Sequence, residues 1–268
     1  MKFAATAALA ALSLTACATS GERTESTSGV YDPLEGWNRN VYSFNEAVDK
    51  AAIEPVARAY RYVTPGIFRD GVHNFLTNLR QPVVFTNTAL QGNIDASGET
   101  FGRFLINSTI GIAGIFDVAS SLGVPRHEED FGQTLGVWGV DEGPYLMLPF
   151  LGPSNLRDTV GMGADRAFDP LTWTEFEGDP DLDDDIAIGR TVLGAISARE
   201  RLIETIETLR EQPEPYIALR RNYTQQRRAA IRNGEIEEDP YKDLPDFDAF
   251  GSFDEEDSGQ NTEQEQDQ

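Results

Sequence analysis

The sequence predicts an all-α body, and three observations support this fold class. Apolar residues recur every three or four positions in several segments, which is the period of one helix face. Regular alternation of apolar and polar residues, the pattern of a half-buried strand, is missing. The chain has 268 residues, of which 40% are apolar, so it is long enough for one large globular domain or two small ones.

The first residues have the pattern of an export signal. Lys2 precedes an apolar run over residues 3–14, which is too short to cross a bilayer, since a spanning helix needs about 20 residues. The single cysteine of the chain, Cys17, follows Leu-Thr-Ala, and this is the form of a lipobox, in which the cysteine is diacylated. Residues 1–16 are therefore predicted to be a signal peptide. An ordinary cleavage site with an incidental cysteine is the alternative.

Residues 17–30 are predicted to be the lipidated N-terminus and a small, polar tether. Ala18 follows Cys17 in place of the Asp that commonly retains lipoproteins at the inner membrane, which favours the outer membrane. Two acyl chains anchor a protein firmly, whereas one chain binds only weakly. Apart from the diacylglycerol and the acyl chain on Cys17, no cofactor is expected.

Apolar stripes predict five helices in the domain that we place at residues 31–234. They run through Trp37–Ala52 before Pro55, Val72–Leu79 between Gly66 and Pro82, Phe101–Leu105, Ile186–Arg210, and Tyr216–Arg232. The segment Ile186–Arg210 is expected to be the longest helix, with Asp183–Asp185 at the positive end of its dipole. Asn233-Gly234 is expected to end the last helix.

The middle of the chain is apolar and rich in glycine over Ile110–Phe116 and Phe131–Gly152. A buried, turn-rich core segment would explain this composition. The alternative is backbone that lines a cavity or lies at a membrane interface, where glycine permits close packing. No segment after the signal offers about 18 uninterrupted apolar residues, so only amphipathic helices lying in one leaflet are compatible with the sequence.

The charge of the chain is unbalanced, at −23 overall. Residues 235–268 contain a single base, Lys242, among many acids, and are predicted to form an acidic disordered tail. Nucleic acid is a poor partner for so acidic a chain, because binding to the phosphate backbone depends on positive charge.

A lipid-processing enzyme is the main rival function, and the sequence gives it little support. It contains neither the G-x-S-x-G nucleophile elbow of the α/β-hydrolases nor a nucleotide-binding P-loop. His127-Glu128-Glu129-Asp130 lacks the second histidine of a zinc-protease motif, and Asp179-x-Asp181-x-Asp183 lacks the glycine of a calcium loop. The prediction is a protein that is not an enzyme and holds no metal.

A series of motifs in a fixed order runs through residues 31–223. They are Asp32-Pro33-Leu34-Glu35-Gly36-Trp37-Asn38-Arg39, Gly71-x-x-Asn74-Phe75-x-x-Asn78-Leu79, Arg103-Phe104-x-x-Asn107-Ser108, Asp130-Phe131-Gly132-Gln133-Thr134-Leu135-Gly136 with Trp138-Gly139, Gly143-Pro144-Tyr145, and Leu151-Gly152-Pro153-Ser154. Together with the lipobox, this series resembles the MlaA/VacJ family of outer-membrane lipoproteins.

The resemblance implies a ring of amphipathic helices with a glycine-rich central channel, embedded in the inner leaflet of the outer membrane and facing the periplasm. It implies that the protein removes mislocalised phospholipid from the outer leaflet and passes it to a periplasmic lipid-carrier protein for retrograde transport. Association with an outer-membrane porin trimer is also implied. A structural lipoprotein that only braces porins is the alternative function.

A lipid path must shield the acyl tails and offer polar groups to the head. Moving about 30 CH₂ groups into water at ~0.8 kcal/mol each would cost on the order of 20 kcal/mol. The glycine-rich middle combines apolar segments with polar borders, so we predict that it lines the path. The predicted lining residues are Gly111, Gly114, Phe116, Gly132, Gly136, Trp138, Gly139, Tyr145 and Leu148.

Overall fold

The computed structural model describes residues 30–174 and 182–232. The predicted signal peptide, the lipidated Cys17, most of the tether and the acidic tail lie outside these residues. The described part is mostly helical, as the sequence predicts, with one small hairpin.

The first predicted helix continues past its expected end. Helix α1 (Glu35–Val48) leads through a π-helical turn (Asp49–Ile53) directly into α2 (Glu54–Val63). Pro55 was expected to stop the helix, and that prediction is wrong. It lies in the first turn of α2, where its missing N–H needs no partner within the helix.

Helix α3 (Gly66–Leu90) has 25 residues and is the longest of the described helices. Two predictions are therefore wrong: the helix does not end at Pro82, and the longest helix is not the one near residues 186–210. Proline inside a helix removes one hydrogen bond and normally costs about 3 kcal/mol. Here α3 packs along α4 (Ile94–Thr109), and this tertiary contact offsets the cost.

Side-chain caps start the helices on either side of the glycine-rich loop. The side chain of Asn93 accepts a hydrogen bond from the amide of Ala96 at the start of α4. Asp117 caps α5 (Val118–Ser121), and Asp130 caps α6 (Phe131–Val137). Caps of this type satisfy the free N–H groups of the first turn.

A β-hairpin follows, which the sequence did not predict. Strand β1 (Tyr145–Leu148) pairs antiparallel with β2 (Gly152–Asn155), with Tyr145 opposite Asn155. Four residues are too few to show a clear alternation. The free edge of β1 is covered by Asn38 of α1, whose side chain accepts from the amide of Met147 at 2.8 Å and donates to the carbonyl of Tyr145 at 3.0 Å.

The last third of the described chain is helical. It contains α7 (Leu156–Phe168), a 3₁₀ turn (Pro170–Thr172), α8 (Leu182–Arg201), α9 (Ile203–Arg210) and α10 (Pro215–Ile231). The predicted helix over 186–210 is interrupted at Leu202, while the predicted last helix is confirmed within one residue at either end. No described helix is both long enough and apolar enough to span a bilayer.

Candidate functional site

Polar side chains fill much of the interior. Among the described residues, buried polar and charged side chains outnumber buried apolar ones. Asn38, Asn87, Thr100 and Thr134 are completely buried, and the main apolar cluster is small. This distribution is unusual, because buried side chains in water-soluble domains are mostly apolar.

Large apolar side chains, in contrast, lie on the surface of most helices. Tyr62 is 91% exposed, Ile94 75% and Trp37 63%. Some of them form surface pairs, such as Phe85 with Phe101, whose ring centroids are 5.7 Å apart. Exposed apolar area on this scale marks an interface with a membrane or with another protein.

A polar cavity opens between α3, α4 and the loop that joins α4 to α5. It has about 240 Å³ of open space, including its mouth, and narrows inside to the size of about one water molecule. The residues that line it are Asn74, Thr77, Asn78, Gln81, Arg103, Asn107, Asp117 and Arg126.

The loop over residues 110–116 has a strained backbone that α3 holds in place. Ile112 and Ala113 have φ angles of 51° and 56°, in the left-handed region that residues with a Cβ rarely adopt. Asn78 donates through Nδ2 to the carbonyl of Ala113 at 3.4 Å and to Ser108 Oγ at 2.9 Å. Asn74 Nδ2 donates to the carbonyl of Ile115 at 3.3 Å. Side chains of one helix thus fix the loop.

The first group of predicted residues lies in this loop. A Cβ on Gly114 would lie less than 3 Å from the Cβ of Asn78, and Gly114 has a φ of 91°. A Cβ on Gly111 would be equally close to the carbonyl oxygen of Phe116. Both positions therefore require glycine, because the loop approaches α3 and itself too closely for a side chain.

An ion pair closes one wall of the cavity. Arg103, which is buried, donates to both carboxylate oxygens of Asp117 at 2.8 and 2.9 Å, and Asn107 Nδ2 donates to Oδ1 at 3.0 Å. Burial acts to raise the pKa of Asp117, but hydrogen bonds from Ser120 and Asn107 and the charge of Arg103 lower it to about 2. The carboxylate is therefore ionised at neutral pH.

The outer side of the same loop is apolar. Ile110 is 66% exposed, and Ile112, Ile115 and Phe116 are also exposed. Polar groups thus line the cavity on one side of a thin loop, and apolar groups cover the other side.

The second group of predicted residues lies away from the cavity. A Cβ on Gly132 would lie 2.5 Å from Asp158 Oδ1, and one on Gly136 would lie 2.8 Å from Ile231 Cδ1, so these glycines allow α6 to pack closely on α7 and α10. Gly139 has a φ of 86° and open space around it. None of the three lines the cavity.

A buried charge cluster lies beside this glycine contact. Arg227 donates to Asp130 at 2.7 and 2.8 Å and to Asp158 Oδ2 at 2.8 Å. Burial acts to raise the pKa of Asp158, but its hydrogen bonds from Arg227 and Tyr223 and the positive charges nearby lower it overall. The cluster ties α6, α7 and α10 together.

The remaining predicted residues are also apart from the cavity. Trp138 is 53% exposed and donates through Nε1 to the carbonyl of Leu90 at 3.1 Å. Tyr145 is buried in the small apolar cluster, and Leu148 is half-buried at the end of β1. A role of these residues in a lipid path stays a prediction.

The α3 residues that line the cavity are not among the predicted site residues. Asn74, Asn78 and Gln81 are spaced i, i+4 and i+7, which places them on one face of a helix. This polar stripe is visible in the sequence beside the apolar stripe of the same helix, and it is the pattern that indicates a polar, cavity-lining face on α3.

Comparison with known proteins decides the family. A family model described as "MlaA lipoprotein" matches residues 30–230. The chain belongs to the MlaA family. This confirms the resemblance that the sequence motifs indicate.

Two relatives named MlaA are similar over almost their whole length. The Escherichia coli K12 protein is 35% identical over 253 residues, which cover 90% of this chain and 96% of the relative. The Haemophilus influenzae protein is 32% identical over 244 residues, covering 90% and 94%. Both are named intermembrane phospholipid transport system lipoprotein MlaA.

A solved structure from work on the structural basis for maintenance of bacterial outer membrane lipid asymmetry has the same fold. It matches with a TM-score of 0.66 and 35% identity, covering 75% of this chain and 98% of the other. The MlaA fold is therefore mostly helical in both proteins.

Proposed function

We propose that this protein removes mislocalised phospholipid from the outer leaflet of the outer membrane and passes it to a periplasmic carrier, which maintains lipid asymmetry. The observation that carries the proposal is the inverted distribution of side chains. Polar groups lie inside, and apolar groups face outward on most helices. Membership of a family with relatives that are named for phospholipid transport supports it.

The outer surface suits a body embedded in the inner leaflet. Each large apolar side chain gains about 1.5–3 kcal/mol when it moves from water into an apolar environment. Exposed aromatic residues such as Trp37, Tyr62 and Trp173 suit the level of the lipid head groups, where amphipathic rings concentrate. Acyl chains on Cys17 would hold the body at the membrane.

The cavity suits the polar end of a lipid. A head group at the mouth of the cavity would find hydrogen-bonding groups, while the acyl tails follow the apolar outer side of residues 110–116. The chain contains no P-loop motif, so we expect any energy for uphill transport to come from a partner. On this proposal the protein is a passive, shielded passage and not an enzyme.

The partners follow from the same proposal. We propose that a porin trimer contacts the apolar flank of the body and that a periplasmic carrier accepts the lipid. A protein that only braces porins would need the apolar flank but would have no use for a polar cavity in its interior.

The decisive test is the lipid content of the outer leaflet. In intact cells that lack the gene, an amine-reactive reagent that cannot cross the membrane should label more phospholipid head groups than in the parent strain. Expression of the wild-type chain should reverse this increase. Unchanged labelling, with porin level or assembly altered, would contradict transport and support the bracing role.

The anchor is tested separately. Cys17→Ser removes the acylation site, so we expect the product to be uncleaved or released from the outer membrane. Metabolic labelling with palmitate reports acylation, and fractionation reports location. Incorporation of palmitate into the variant would contradict the assignment of Cys17.

A further inference from the structure

The turn of the β-hairpin presents two large apolar side chains on a strained backbone. This turn, which we call the hairpin tip, consists of Pro149, Phe150 and Leu151 and joins β1 to β2. Phe150 is 69% exposed and Leu151 is 68% exposed. Phe150 has a φ of 63°, in the left-handed region that glycine and asparagine adopt more readily than phenylalanine. Strain that is kept at an exposed aromatic residue points to a function of its side chain.

Helix α1 holds the hairpin tip in place. Asn45 donates through Nδ2 to the carbonyl of Leu148 at 2.9 Å, and its Oδ1 accepts from the amide of Phe150 at 2.9 Å. The ring of Phe44 packs edge-on against the ring of Phe150, with their centroids 5.4 Å apart, and is itself 46% exposed. The backbone of the tip is thus fixed by α1, while its apolar side chains point away from the body and remain exposed.

The chemistry of the hairpin tip suits hydrocarbon. No charged residue occurs between Glu142 and Arg157. Inside a bilayer, polar backbone groups must find their hydrogen-bond partners within the protein. Asn45 satisfies two such groups, and Pro149 has no N–H that needs a partner. A turn in water does not need this arrangement, because the solvent can bond to its backbone.

The tether of the predicted lipid anchor joins the body next to the same hairpin. Val30, the first described residue, is buried in one apolar cluster with Tyr145, and the carbonyl of Tyr31 accepts from the amide of Tyr145 at 3.0 Å. Strand β1 leads from Tyr145 to the hairpin tip over at most about 17 Å. A flexible tether from Cys17 to Val30 typically spans about 20 Å. Acyl chains on Cys17 would therefore keep the tip within reach of the bilayer.

We propose that the hairpin tip inserts into the hydrocarbon of the leaflet that holds the acyl anchor and sets the orientation of the body in the membrane. This inference rests on the membrane location in the proposed function and names an element that enters the lipid. A fluid bilayer adapts to a convex tip, whereas a protein partner would have to supply a matching groove. The acyl anchor and the tip together give the body two fixed points, so it does not rotate freely about its tether.

The test measures the depth of the hairpin tip in a bilayer. Cys17 is the single cysteine of the chain, and the proposed acylation consumes its thiol, so Leu151→Cys supplies one free thiol for the fluorophore NBD. The full-length lipoprotein is reconstituted in vesicles of dioleoyl phosphatidylethanolamine and dioleoyl phosphatidylglycerol. We expect the emission of the label to shift to the blue. A quenching doxyl group on the acyl chain of a lipid should reduce the emission more than one on the head group.

Gln226→Cys is the matched control for the label. Gln226 is exposed on α10, and its neighbours Asn222 and Gln225 are also polar and exposed. A label at this position should emit as it does in water, and doxyl groups on the acyl chains should quench it little.

A pair of variants at one position identifies the side chain that drives insertion. Phe150→Asn removes the ring, but asparagine tolerates the left-handed conformation, so the hairpin should keep its structure. We expect the ratio of inserted to exposed labels at position 151 to fall about tenfold, which corresponds to roughly 1.4 kcal/mol. Phe150→Trp keeps a large aromatic ring and should retain insertion. If Phe150→Asn does not fold, the depth of the label beside an unchanged Phe150 still tests the inference.

The possible failures are distinguishable. A label at position 151 that emits as in water, on protein that stays bound to the vesicles, would overturn the inference but leave the membrane location intact. A blue shift that appears only when a porin trimer is added, without quenching by doxyl lipid, would also overturn it, because the tip would then contact a protein. Protein that does not associate with vesicles at all, together with unchanged labelling of deletion cells, would instead contradict the proposed function.

Discussion

Gly114→Ala should destabilise the protein locally and impair lipid transport. The residue has a φ of 91°, and the new methyl group would lie less than 3 Å from the Cβ of Asn78. A left-handed conformation costs a residue with a Cβ about 1–2 kcal/mol. Overpacking against a helix that cannot move freely adds about 1–3 kcal/mol. We expect a total loss of about 2–5 kcal/mol in the free energy of unfolding, or an opened loop that avoids the clash.

Gly102→Ala is the matched control, because it makes the same chemical change in the neighbouring helix α4. A Cβ at position 102 has no heavy atom within 4 Å beyond its own helix backbone. Replacing a helical glycine with alanine should stabilise the protein by about 0.5–1 kcal/mol. The two variants should therefore shift stability in opposite directions.

The assay combines stability with activity. Unfolding of both full-length variants is measured in the same detergent, and phospholipid labelling is measured in deletion cells that express each variant at equal level. Neutral surface substitutions typically change the free energy of unfolding by about 0.5 kcal/mol or less. If the free energy of unfolding of Gly114→Ala lies within about 0.5 kcal/mol of the wild-type value, and the variant also restores lipid asymmetry, the tight contact between the loop and Asn78 does not exist as described.

Three further changes have expected outcomes. The folded-state pKa of Asp117, about 2, lies below its ordinary value of 3.8, so the stability contributed by the ionised carboxylate is complete above the ordinary value and is lost as the pH falls through 2. Asp117→Asn should therefore lower the free energy of unfolding by about 2 kcal/mol at pH 7 and by less near pH 3. Denaturant unfolding at each pH measures this loss, and an equal loss at both pH values would contradict the lowered pKa of Asp117. Gly161→Ala should disrupt the contact with Gly132, since its Cβ would lie less than 3 Å from that residue's amide nitrogen, whereas Gly163→Ala meets open space and should be tolerated in a thermal unfolding comparison. Truncation after Gly234 should leave the protein in the outer membrane, and fractionation that finds it elsewhere would refute the view that the acidic tail is dispensable for location.

The helices that contain the five apolar stripes were predictable because those stripes have a clear period. What the period could not reveal is which way each stripe faces. The stripe through Trp37 and Phe44 identified α1 correctly, yet both side chains lie on the surface. The period shows that a helix is amphipathic. The same pattern is found whether the apolar face packs into a hydrophobic core or faces lipid.

The failures have local physical causes. Proline usually breaks a helix, so the sequence predicts a helix end at Pro82, but packing of α3 on α4 overrides that preference. The hairpin was missed because each strand has four residues, and its edge is satisfied by Asn38, a contact more than 100 positions away in sequence. Contacts between residues that are distant in sequence produce no periodic pattern from which they could be predicted.

The candidate site was predictable only in part. The glycine-rich loop was found because glycine is required where backbones approach closely, as at Gly111 and Gly114. The left-handed conformation of Ile112 could not be predicted, since a β-branched residue is among the least suited to it. The polar stripe on α3 was present in the sequence but was overshadowed by the apolar one.

The exposed apolar surface has a consequence for the journey of the newly made chain to its membrane. In the aqueous periplasm this surface would drive copies of the folded protein to stick to one another, as any large apolar patch does. The proposed acylation of Cys17 would add chains that are themselves insoluble. On the proposed membrane location, delivery would need either a chaperone that covers the acyl chains and the apolar surface or a delay of the final folding until the bilayer is reached. For such a protein the membrane acts as the folding solvent.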